Sequence, residues 1–224
     1  MIITIDGPAG SGKSTAAKEL ARALGVAYLD TGATYRAVTL AGLRRGVDFS
    51  DAAALASLAA GLDLRLIDRA GDLQVLMDGE DVSREIRSGD VSDHSHFVAG
   101  APAVRDVLVP LQRRIGRDLA ERTGGVVAEG RDQGSVVFAD ADMKFYLDAA
   151  PEVRARRRCD EMRADEQPAA YDAVLSAIVT RDGHDRTRAV APLVKPDGAI
   201  EIDTTDMTIA DVTAELLRRV RAHR

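Results

Sequence analysis

Along most of the chain, short apolar runs alternate with segments whose apolar residues recur every three or four positions. Met1 to Ile5 is apolar and enters Asp6-Gly7, which predicts a buried strand ending at a glycine-rich loop. Ala17, Leu20, Ala21 and Leu24 then repeat at helical spacing, and Gly25 supplies a stop. Val26 to Leu29 predicts a second strand, followed by a helix through Tyr35, Val38 and Leu43 and an alanine-rich helix over about Asp51 to Ala60. The texture changes at Leu62. Leu62 to Leu66 and Leu73 to Leu76 alternate with period two around Ala70-Gly71-Asp72, the pattern of a hairpin. Val104, Val107, Leu108, Leu111, Ile115 and Leu119 restore the helical period, closed by Gly124-Gly125. Val126 to Ala128 and Met143 to Leu147 read as strands, with helices over about Pro151 to Arg163 and Tyr171 to Arg181. Ala199 to Ile202 gives a last strand, and Ile209, Val212, Leu216, Leu217 and Val220 line a last helix. Gln167-Pro168 and Gly183 to Gly198 read as mobile connections.

Short apolar strands separated by helices predict an α/β fold, a five-stranded parallel sheet covered on both faces in three α/β/α layers. The 224 residues suit one such domain, with core segments 1–61 and 101–224 and an inserted lobe at about 62–100. Hydrophobic content of 46% and charged content of 29% are ordinary globular values and exclude wholesale disorder. No leader pattern opens the chain, and its longest apolar run is too short to span a bilayer, so a cytoplasmic protein without membrane contact is expected. The single Cys159 fits a reducing compartment.

Charge sharpens the picture. Of 30 basic residues only Lys13, Lys18, Lys144 and Lys195 are lysines, so 26 are arginines, the side chain that grips phosphate bidentately. A net charge of -6 and only eight aromatics argue against a nucleic-acid partner. A phosphate ligand would therefore be small and held in a pocket. Gly7-Pro8-Ala9-Gly10-Ser11-Gly12-Lys13-Ser14-Thr15 satisfies G-x-x-x-x-G-K-[ST] between a predicted strand and a predicted helix. Such a loop turns backbone N–H groups onto phosphates, with Lys13 at the β/γ-phosphates and the Ser14 hydroxyl within reach of Mg²⁺. Asp30 to Arg36, Val104-Arg105, Glu129-Gly130-Arg131-Asp132 and Arg181 to Arg188 combine carboxylates, hydroxyls and arginines, two of them directly after strands, where open parallel sheets collect ligands. Arg36, Arg131 and Arg188 are candidates for an acceptor phosphate.

These segments, with Gly79-Glu80-Asp81-Val82-Ser83 and Arg181 to Pro192, give the chain a resemblance to bacterial-type cytidylate kinases of the P-loop nucleoside monophosphate kinase family, covering nearly all of it. The resemblance implies transfer of the γ-phosphoryl of ATP to CMP or dCMP in pyrimidine nucleotide metabolism, with Mg²⁺ accompanying ATP. It implies that the inserted lobe binds the monophosphate and that a helical lid lies at about 151–170. Thr31, Arg36, Arg131 and Arg188 are implied to hold the acceptor phosphate, Arg105 and Asp132 to read the cytosine edge, and Arg181 and Asp185 to contact the sugar. Arg157 and Arg158 match lid arginines over the donor phosphates; a basic helix face is the other reading of these two. Lys13, Arg131, Arg188 and Asp132 are the candidate catalytic set, and a monomer is expected. Three positions depart from the family pattern. Gln133-Gly134-Ser135 replaces Ile or Met, Gly and Thr; His96 stands where a serine helps to read the base; and Ala101 replaces a phenylalanine. No cysteine or third histidine lies near His94 and His96, so no protein metal cluster is expected. Two alternatives stay open on sequence: a P-loop kinase for another acceptor such as UMP or dUMP, and a nucleotide-binding module without catalysis.

Overall fold

The computed structural model describes residues 1–69, 72–164 and 169–223. The hairpin turn at 70–71 and the Gln167-Pro168 connection lie outside the described residues. The chain begins with β1 (Ile2–Asp6), α1 (Lys13–Leu24), β2 (Ala27–Asp30), α2 (Gly32–Arg45) and α3 (Ala52–Gly61). Strands β3 (Leu64–Arg69), β4 (Asp72–Met77) and β5 (Glu80–Asp81) follow, then a 3₁₀ turn (Glu85–Arg87), α4 (Gly89–Gly100) and α5 (Pro102–Thr123). The remainder is β6 (Val126–Gly130), a π-type turn (Gln133–Val137), β7 (Met143–Asp148), α6 (Pro151–Ala164), α7 (Tyr171–Thr187), β8 (Ile200–Asp203) and α8 (Ile209–His223).

Five strands form one parallel sheet in the order β2-β6-β1-β7-β8, as the apolar runs predict. Ile3 and Ile5 at its centre are fully buried, as strands covered on both faces must be. The register places Asp30 beside Glu129 and Asp6 beside Gly130, so the polar ends of three strands share one rim. The site is built on that rim.

A three-stranded antiparallel sheet, β3-β4-β5, interrupts the parallel pattern. Leu64, Leu66, Leu73, Val75 and Met77 fill its buried face. The short β5 and helix α4 carry no clear sequence period. Of α4 only Val91, Ser95 and Val98 are buried, a single narrow stripe among histidines and aspartates.

Helix α7 corrects the expected loop at Gly183. It continues through Gly183 to Thr187, because Asp182 and Asp185 on its inner face are both buried in ion pairs. The Thr187 hydroxyl also donates to the Gly183 carbonyl at 2.7 Å. Those contacts outweigh the roughly 1 kcal/mol that glycine costs inside a helix. Helices α6 and α7 share a small apolar cluster of Ala155, Val174 and Ile178, separate from the main core. Among the described residues no helix is long and apolar enough to cross a membrane.

At Gly116 the main core admits no side chain. A Cβ on Gly116 of α5 would stand 2.5 Å from Cζ of the fully buried Phe138. Gly116→Val is therefore expected to destabilise the fold by about 2 kcal/mol, lowering Tm by about 4–8 °C in a thermal melt.

Candidate active site

The P-loop begins where β1 ends. Gly7 passes so close to β7 that a Cβ there would lie 2.1 Å from the Leu147 carbonyl oxygen, which leaves glycine as the only choice. Helix α1 starts after Gly12, a residue with φ of 83° and no capping side chain, so the first-turn N–H groups remain available to an anion. Lys13 folds back over the loop, its Nζ donating to the Pro8 carbonyl at 3.2 Å. Burial first, and then the Arg131 guanidinium, pull its pKa down to about 7.

Ser14 of the same helix donates its hydroxyl to Glu129 Oε1 at 2.6 Å. Glu129 is buried at the end of β6 and also accepts from the Tyr28 hydroxyl at 3.3 Å. The sequence reading assigns Ser14 to Mg²⁺ but gives Glu129 no role. Its signal was the register, an acidic residue ending a fully buried strand beside the loop hydroxyl. Two hard oxygen donors at the mouth of a phosphate loop suit Mg²⁺, which takes few protein ligands and fills its sphere with phosphate oxygens and water.

The second half of the cleft is built from β2, β6, α5 and α7. Thr31 follows β2 and donates its hydroxyl to the Glu129 carbonyl at 2.8 Å. Arg36, one turn into α2, pairs with Asp30 at 2.5 Å, and its buried Nε has no hydrogen-bond partner. Neighbouring Arg36 and Arg87 hold the Asp30 carboxyl below its ordinary value against its burial. Arg131 donates from Nε to Asp185 at 2.9 Å, fixing the guanidinium edge. Arg188 bonds the Ala191 carbonyl through Nε, while its buried Nη2 has no partner.

Arg181 forms no hydrogen bond or ion pair among the described residues. Enclosure by the cleft and then Arg131 lower it to about 10, although its surface stays open to solvent. Arg105 of α5 and Asp132 after β6 form a buried ion pair, with Arg105 Nη1 donating to the Tyr35 hydroxyl at 3.0 Å. The structure thus brings Lys13, Ser14, Thr31, Arg36, Arg105, Arg131, Asp132, Arg181, Asp185 and Arg188 to one rim.

Three expected site residues, and Gln133, stand differently. His96 on α4 packs its ring 4.0 Å from that of Phe97 and stacks on His184 at 5.4 Å, so it lines the α7 side of the cleft. Arg157 is engaged by the carbonyls of Thr204 and Met207 at 2.6 and 3.1 Å, beside the P-loop rather than over it. Arg158 is exposed and pairs with Glu161 at 3.1 Å. Gln133 is buried against Gly130, and its backbone N–H donates to Asp6 at 2.8 Å. Burial lifts the Asp6 carboxyl to about 7 even though it accepts two backbone N–H groups.

A family model described as cytidylate kinase matches residues 3–222. The cytidylate kinase of Corynebacterium efficiens is 46% identical over 222 residues, covering 99% of this chain and 95% of that protein. The cytidylate kinase of Rhodococcus jostii is 47% identical over 218 residues, covering 97% and 93%, and that of an Enterobacter species 44% over 220, covering 98% and 95%. Among solved structures, an uncharacterized protein from Eubacterium ventriosum shares the fold, with a TM-score of 0.51 at 12% identity and 99% coverage of both chains.

The lowered Lys13 pKa carries a pH signature. Phosphate binding favours the protonated amine and raises that pKa, so triphosphate binding takes up a proton between the free and bound values. With ATP as probe, affinity should be level below pH 7 and fall above it, by at most about tenfold per pH unit. Calorimetry at pH 7.5–8.5 in two buffers of different ionisation enthalpy checks this, and Lys13→Ala should abolish the proton uptake.

Proposed function

The chain belongs to the cytidylate kinase family, and we propose that this cleft transfers the γ-phosphoryl of ATP to CMP or dCMP, giving ADP and CDP or dCDP. The observation that carries the site assignment is the pair of buried arginine donors left without acceptors, Arg36 Nε and Arg188 Nη2, beside the solvent-open, unpaired Arg181 guanidinium near Lys13. Buried donors of this kind are costly unless an anion completes them.

An anionic oxygen of the acceptor phosphate attacks the γ-phosphorus, and the bond to the β,γ-bridging oxygen breaks as ADP leaves. The nucleophile is already ionised, so no strong general base is needed. Catalysis then rests on alignment and on neutralising charge spread over the transferring group. Lys13 and the P-loop amides take the donor side; Arg36, Arg131, Arg188 and Thr31 take the acceptor phosphate. Ser14 and Glu129 would hold Mg²⁺, which neutralises charge on the donor phosphates. Arg181 and Asp185 lie where sugar hydroxyls are reached, with His96 on the adjoining wall. Arg157 and Arg158 reach the donor phosphates only if α6 moves, which is the lid motion assigned to 151–170.

The base is read by charge. The Asp132 carboxylate suits the amino group of cytosine, and Arg105 suits its ring nitrogen and carbonyl. Uracil would turn a carbonyl oxygen toward Asp132, leaving a buried acceptor unpaired against another. A panel of monophosphates with Mg²⁺ and ATP should therefore give kcat/KM for UMP about 10²-fold or more below that for CMP. Asp132→Asn, whose amide serves either base, should shrink that ratio about tenfold or more. Lys13→Ala should lower turnover by about 10² or more with an unchanged melting curve. Glu129→Gln should raise the Mg²⁺ concentration for half-maximal activity by about tenfold.

A further inference from the structure

The largest fully buried side chain belongs to a charged residue outside the scheme above, Arg154 in the first turn of α6, which is 1% exposed. Its Nε donates to the Ala149 carbonyl at 2.8 Å and its Nη1 to the P-loop carbonyl of Ala9 at 3.0 Å. The same Nη1 lies 2.6 Å from Asp182 Oδ2 on α7. The P-loop also rests on Arg154 sterically, since a Cβ on Gly10 would come within 3.1 Å of its Cβ and carbonyl oxygen. Asp182 is 4% exposed, and its second oxygen has no hydrogen-bond partner. A buried pair of this kind is weak as a source of net stability, because desolvation offsets the attraction. Its value here is that it joins three points.

Those points belong to different parts of the reaction. The P-loop holds the donor. Helices α6 and α7 share their own small cluster of Ala155, Val174 and Ile178, with Arg154 at its base. Asp182 directly follows Arg181 and precedes Asp185, which holds Arg131. Donor loop and acceptor helix therefore pull on one guanidinium. Arginine can serve a carbonyl on each side and a carboxylate at once because its donors lie in a fixed planar fork; the single nitrogen of lysine cannot.

We propose that Arg154 is a positioning residue and that the Arg154–Asp182 pair couples the two nucleotide sites, so that filling the P-loop places the acceptor residues of α7. The proposal rests on the kinase reading given above. Coupling of this kind is reciprocal in binding free energy, so it is measured from either site.

The test is calorimetric binding of CMP with and without a non-hydrolysable ATP analogue. In the native protein the analogue is expected to tighten CMP by about fivefold or more, and CMP to tighten the analogue by the same factor. In Arg154→Lys and in the isosteric Asp182→Asn, that factor should fall to within about twofold of one, while each nucleotide alone still binds and melting stays cooperative. If Arg154→Lys does not fold, Asp182→Asn decides. A merely structural pair would lower Tm and leave the factor unchanged, which overturns the proposal, as does a factor of one in the native protein. A native protein that binds the analogue but no CMP overturns the kinase reading itself, a result distinct from both.

Discussion

A cleft that receives two sets of phosphates must hold like charges close together before any phosphate arrives. Lys13, Arg36, Arg131, Arg181 and Arg188 line one rim, and burial together with the repulsion of neighbouring guanidinium groups draws Lys13 to about 7 and Arg181 to about 10. The folded chain tolerates this because carboxylates stand between the cations. Asp30 holds Arg36, Asp185 holds Arg131, Asp132 holds Arg105, and Glu129 takes the Ser14 hydroxyl. Three of these acids sit at or just beyond the ends of β2 and β6, so sheet register sets the spacing of the positive charges. Incoming phosphates then meet cations already oriented, which reduces reorganisation at the moment of transfer.

The chain is rich in arginine yet carries a net charge of -6, so where its arginines stand matters more than how many there are. Most of the arginines are exposed and interspersed with surface carboxylates, while a minority, including Arg36, Arg105, Arg131 and Arg188, are enclosed in the cleft. The buried pair between Arg105 and Asp132 adds selectivity to that arrangement. Neither partner is free to turn, because Arg105 also donates to Tyr35 and Asp132 lies on the tight turn after β6.

Much of this was legible in the sequence. Glycines and the Lys13-Ser14 pair located the donor loop, and the apolar runs located all five parallel strands. What stayed hidden follows a physical pattern. Arg154 reads as one member of a basic helix face, since a buried arginine and a solvated one are the same letter; only the fold shows that Ala9 and Asp182 surround it. Gly183 reads as a helix end because the ion pairs that carry α7 past it are contributed by distant segments. Helix α4 offered only three buried positions, too few for a period to stand out. Glu129 stood in a candidate segment without a role of its own and gained one from its neighbour across the rim. Tertiary context overrode local propensity in each case.

The separate cluster beneath α6 and α7 has a consequence for how the molecule breathes. Ala155, Val174 and Ile178, with only partly buried Cys159, Met162, Tyr171 and Leu175 around them, exclude little water, whereas the sheet rests on a far larger continuous core. Local opening of this corner therefore costs less than global unfolding, and amides there exchange through a partial, sub-global excursion. Opening of that corner leaves the strands that hold the charges in register untouched, because their core is a separate one.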